Sequence, residues 1–149
     1  MIWQYNDGGR KSAHYRGTTG DCVARAIAIA TELPYQDIYD RINEHAKAER
    51  FQRGKLSFLA ATGRGSSARR GVYKETIKAV LTALGWKFTP TMQIGSGCKV
   101  HLRAEELPEG RLIVSLSKHY VAVVDGVIHD LSDPSRNGTR CVYGYWSKL

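Results

Sequence analysis

A cysteine at position 22, a histidine at 119 and aspartates at 130 and 133 could together carry covalent chemistry. Cys22 stands in "TTGDCVARAIAIAT", residues 18–31, where turn-forming residues give way to Ala and Ile. Only a thiolate is a good nucleophile, and a free cysteine titrates above neutral pH. In the first turn of a helix, unpaired N–H groups and the helix dipole favour the thiolate. The same N–H groups can stabilise an oxyanion formed by attack on a carbonyl. A free cysteine is equally at home as a small buried hydrophobe, so position alone leaves both readings open.

A nucleophilic thiol needs a base, and the base needs a third group to fix its tautomer and orientation. In "KHYVAVVDGVIHDLSDP", residues 118–134, two β-rich runs flank Asp125-Gly126, the favoured two-residue hairpin turn. Counting outward from that turn, Val124 faces Val127 and His119 faces Ser132. Asp130 lies two residues from Ser132, so it shares a face with His119 and sits diagonally from it. Such a diagonal spans roughly 7–8 Å between backbones, within reach of a His–carboxylate hydrogen bond. Asp133 has the opposite parity, but it lies past the strand end before Pro134 and stands as the alternative carboxylate. Either aspartate could instead be an ordinary solvated turn residue.

These residues must be positioned by elements that the pattern supplies. A helix is expected from Asp21 to Thr31, apolar nearly all round except at Arg25, and therefore central. A second helix starts near Pro34, with Ile38, Ile42 and Ala46 on one stripe. A third, Lys74–Leu84, carries Ile77, Val80, Leu81 and Leu84 and stops at Gly85. Strand candidates follow in "WKFTP", "CKVHLR", "GRLIVSLS", the hairpin and "RCVYGYW". Residues 1–20 read as an extended arm docking through Trp3, Tyr5 and Tyr15. Helices first and antiparallel strands second give an α+β fold within a single domain, residues 1–149.

Cys at a central helix start, His at the start of a late strand and Asp at the end of the next resemble the papain-like cysteine peptidases. The resemblance rests on "GDCVARAIAIAT", "KHYVAVVDG" and "VIHDLSDP". It is similar in detail to bacteriocin-processing peptidases, and to small bacteriophage proteins with the same Cys/His layout. It implies a papain-like architecture, N-terminal helices packed on a C-terminal antiparallel sheet. It also implies a hydrolase that cleaves a peptide or isopeptide bond through a thioester. Cys22 would be the nucleophile, His119 the base and Asp130 the orienter, with Asp133 as substitute. The family's Gln before the Cys is absent from "HYRGTTGDC". Thr18, Thr19 or backbone N–H groups are the candidates for the oxyanion.

The bulk composition narrows the partners. A net charge of +8 implies attraction to acidic ones, whether nucleic acid, an acidic protein surface or anionic lipid. In "GRGSSARRG", Arg64, Arg69 and Arg70 could recruit an acidic substrate or contact phosphates. The alternative function is thus a basic binding module, for nucleic acid or an acidic protein, on a catalytically lapsed papain-like fold. No apolar run reaches membrane-spanning length, so no membrane partner is expected. Three cysteines, an odd and sparse set, suggest reduced thiols and a cytoplasmic setting, the host's if the chain is phage-encoded. Cys98, Cys141, His101 and His129 match no common zinc spacing, and neither metal nor other cofactor is expected.

Overall fold

The structure is a computed structural model that describes residues 1–15, 20–52, 67–69, 72, 74–93 and 95–149. The described elements are β1 (Ile2–Tyr5), α1 (Cys22–Thr31), α2 (Tyr35–Gln52), α3 (Lys74–Ala83), β2 (Trp86–Pro90), β3 (Arg111–Leu116), β4 (His119–Val124), β5 (Val127–Asp130) and β6 (Gly144–Lys148). The fold is α+β: three helices among the described residues accompany one six-stranded sheet of order β1-β5-β4-β3-β6-β2. No described helix is long and apolar enough to cross a membrane.

The sheet is mixed rather than antiparallel. β1 pairs parallel to β5, from Ile2 opposite Val127 to Tyr5 opposite Asp130, whereas every other pairing is antiparallel. The arm expected over residues 1–20 therefore begins as an edge strand. Its Tyr15 docks as expected, packing its ring 5.3 Å from that of Tyr35 and 4.6 Å from that of Tyr39. β1 was hard to foresee because an edge strand exposed on both faces shows no hydrophobic alternation.

The strand expected in "CKVHLR" reduces to a single bridge between His101 and Cys141, followed by a 3-10 turn at Ala104–Glu106. The strand expected in "RCVYGYW" begins only at Gly144 and runs to Lys148. The reading of three reduced thiols is also corrected. Cys98 and Cys141 are joined as a disulfide, with Cα atoms 5.8 Å apart, and Cys22 alone is free. The bridge at His101 and Cys141 holds the two segments side by side, a closeness that the 43-residue separation in sequence hides. The cysteine count therefore no longer argues for a reducing compartment.

Both faces of the central strands are covered. On one, α1, α2 and α3 bury Ile27, Ile38, Ile42, Ile77 and Leu81 against Ile113, Ala122 and Trp146. On the other, Leu112, Val114, Val121, Val123 and Ile128 pack with Leu102, Leu107 and Val142 from the coil segments. Every residue from Val23 to Ala30 is buried, which the alternating alanines permit by letting α1 lie close to β4. The hairpin forms as its turn chemistry dictates. Asp125 and Gly126 both take positive φ, at 47° and 78°, the geometry of a two-residue turn that follows the sheet's twist.

Candidate active site

Three elements bring three side chains to one end of the sheet. Cys22 is the first residue of α1, His119 opens β4 and Asp130 closes β5. Because β4 and β5 are antiparallel, the start of one lies beside the end of the other. The observed register, Val124 opposite Val127 and Ala122 opposite His129, leaves His119 and Asp130 diagonal to each other. Their side chains meet, with His119 Nε2 2.6 Å from Asp130 Oδ2. The imidazole also lies near Cys22, where it favours the thiolate, so the ring stands between thiol and carboxylate. With Nε2 on Asp130, Nδ1 is the nitrogen left for the sulfur. The Tyr120 backbone N–H favours the same thiolate.

Electrostatics at this corner favour a thiolate–imidazolium pair. Burial alone would push the Cys22 thiol up. The His119 hydrogen bond, the Tyr120 N–H and the charges of His119 and Arg25 outweigh it and hold the thiol below its ordinary value. Burial alone would also lower His119, yet hydrogen bonds and charge from Asp130 and Cys22 lift it to about 9. Asp130, despite burial, is held below the usual carboxylate range by His119, the Leu131 N–H and Arg25.

Asp130 is buried and fully engaged. Its Oδ1 accepts from Arg25 Nη1 at 2.9 Å and from the Leu131 N–H at 2.7 Å, which leaves Oδ2 for His119. Its carbonyl accepts from Trp3 Nε1 and the Asn6 N–H, both at 3.1 Å. Asp133 does not join the site. It is exposed, and its carboxylate accepts from the Ser135 N–H at 2.9 Å as an ordinary turn residue.

Arg25, noted in the sequence only as the break in an apolar helix, links two carboxylates. It is 7 % exposed, and its Nε donates to Asp21 Oδ1 at 3.0 Å while Nη1 reaches Asp130. Asp21 in turn accepts from the Tyr35 hydroxyl at 2.7 Å and pairs with Arg10 at 3.1 Å. A string of opposite charges thus runs Arg10, Asp21, Arg25, Asp130, His119, Cys22. The i,i+4 spacing of Asp21 and Arg25 was the signal available beforehand.

The same string explains how α1 starts. Asp21 occupies the N-cap, but its side chain makes no capping bond because Arg25, Tyr35 and Arg10 hold it elsewhere. The first-turn N–H groups of α1 therefore receive no bond from that carboxylate. Thr18 and Thr19, the other oxyanion candidates, lie outside the described residues, as do Arg64 and Arg70. Arg69 is described and is an exposed turn residue. Of the residues weighed for zinc, Cys98 and Cys141 are bonded to each other, His101 pairs with Glu106, and His129 lies beside Asn6. Comparison with protein-family models, curated proteins and solved structures gave no match to the chain.

Proposed function

We propose that this protein is a cysteine hydrolase of the papain-like type, acting on a peptide or isopeptide bond through Cys22, His119 and Asp130. The observation that carries the proposal is the imidazole of His119 standing 2.6 Å from a buried carboxylate and near a helix-start thiol that it holds below its ordinary value. A core cysteine needs neither partner, and a solvated turn aspartate would not be buried against an arginine.

In the proposed reaction the Cys22 thiolate attacks the carbonyl carbon of the scissile bond. Charge that develops on the carbonyl oxygen is met by first-turn N–H groups of α1. As the tetrahedral species collapses, the protonated His119 gives its Nδ1 proton to the leaving amine and the thioester remains. Neutral His119 then takes a proton from water, whose oxygen attacks the thioester. Collapse of this second species releases the carboxylic acid and returns the thiolate beside an imidazolium. Asp130 stays ionised throughout and holds the ring. Another amine in place of water would make the same steps an acyl transfer.

The test is the rate of Cys22 alkylation by iodoacetamide in the folded protein. We expect fast labelling near neutral pH, its loss in Cys22→Ala with the fold intact, and a much slower rate in His119→Ala. A folded protein whose Cys22 labels no faster than a free thiol at every pH would overturn the proposal.

A further inference from the structure

Beside the proposed centre lies a groove of about 860 Å³ between α3 and the β6–β2 edge of the sheet. Tyr120, the residue after His119, lines it, and its phenol lies near enough to the Cys22 sulfur to feel a thiolate's charge. Its floor is aromatic. The Phe88 and Trp146 rings lie 5.3 Å apart at 50°, and Phe88 (38 % exposed) and Tyr143 (37 %) remain open to solvent. Phe88 lies across Gly144, where any Cβ would run into its ring.

The charged side chains that line it share one sign. Lys74 and Lys78 from α3 and Lys87 from β2 line the groove, and no aspartate or glutamate does. All three lysines are exposed, and none forms an ion pair among the described residues. β2 closes the sheet order, so one side of its backbone has no strand partner among the described residues, and an extended peptide can lie along it.

We infer that this groove seats an extended acidic peptide segment carrying a large apolar side chain, and so selects the substrate of the proposed hydrolase. The inference rests on the hydrolase reading for the word substrate and on the groove alone for the binding. The apolar side chain packs on Phe88 and Tyr143, the rings open to solvent, while acidic neighbours meet the three lysines. A nucleic-acid strand fits less well. Sequence-tolerant stacking needs ring faces presented to successive bases, whereas Trp146 is 7 % exposed and Phe88 is tilted against it.

The test uses fluorescein-labelled peptides, one with a single phenylalanine among glutamates and a twin with lysines in place of the glutamates. Binding to the full chain is read by anisotropy at low salt, with Cys22 alkylation followed in parallel and oligo-dT as competitor. The acidic peptide should bind and slow Cys22 alkylation, and the twin should do neither. Replacing Lys74, Lys78 and Lys87 with Glu should weaken the acidic peptide by about tenfold or more. Circular dichroism would confirm the variant's fold, and a Gln triple variant should show a smaller loss. Equal binding of the twin, full affinity in the Glu variant, or tighter binding of oligo-dT at the same place would overturn the inference. If Cys22 proves unreactive in the free protein, the hydrolase proposal fails while the anisotropy still decides what the groove binds.

Discussion

At the scale of single residues, the centre is a titrating pair with a support behind it. Cys22 is held below its ordinary value, so its thiolate is present above that lowered pKa and is lost as pH falls through it. His119 is raised to about 9, so its imidazolium is lost as pH rises through that value. Turnover should therefore trace a bell whose alkaline limb lies near 9, both limbs belonging to the coupled pair. In Asp130→Asn the alkaline limb should move down toward 6.5, the value of an unperturbed imidazole, and kcat should fall by about 10²–10⁴-fold. Asp133→Asn should leave the profile in place. Arg25 is a positioning residue, because it acts through Asp130. Arg25→Met removes one buried partner from each of two carboxylates that keep others, Tyr35 and Arg10 for Asp21 and His119 for Asp130, and should cost about 1.5–3 kcal/mol in urea unfolding, with Arg25→Lys recovering part of it. Cys22, His119 and Asp130 were legible because each stands at an element boundary that the sequence marks. Arg25 was not, because a lone charge in an apolar helix names no partner until a carboxylate 105 residues away folds against it.

At the scale of elements, the hairpin was the most legible feature, since Asp-Gly fixes its turn and the turn fixes the pairing that sets His119 diagonal to Asp130. α1 was legible from its composition. β1 and the coil segment from Cys98 were not, because both are placed by distant contacts rather than by local pattern. β1 meets the centre directly, with Tyr5 opposite Asp130 and Trp3 Nε1 on the Asp130 carbonyl, and the turn after it adds a contact with Arg25. Gly8 follows the strand at φ 70°, and a Cβ there would come 3.0 Å from the Arg25 carbonyl oxygen. Gly8→Ala should therefore combine left-handed strain with a backbone collision, for a loss of about 1–3 kcal/mol by denaturant unfolding. Gly95→Ala, with φ 82° but open space around the added carbon, should cost less.

At the scale of the whole molecule, one bond ties distant parts of the chain together. The Cys98–Cys141 disulfide joins the two segments that flank the core on the face of the sheet away from the helices. Its removal in the Cys98→Ala/Cys141→Ala variant should cost about 2–4 kcal/mol in thermal or denaturant unfolding, while Cys22 alkylation keeps its pH profile. The string from Arg10 to Cys22 has a consequence of its own. It holds three cations (Arg10, Arg25 and the His119 imidazolium) and three anions (Asp21, Asp130 and the Cys22 thiolate). Three minus three is zero. In the proposed cycle the thioester state has lost one of each, and two minus two is zero again. A low-dielectric interior penalises any change in total charge. Here protons and bonds are exchanged while the total over these six groups holds still.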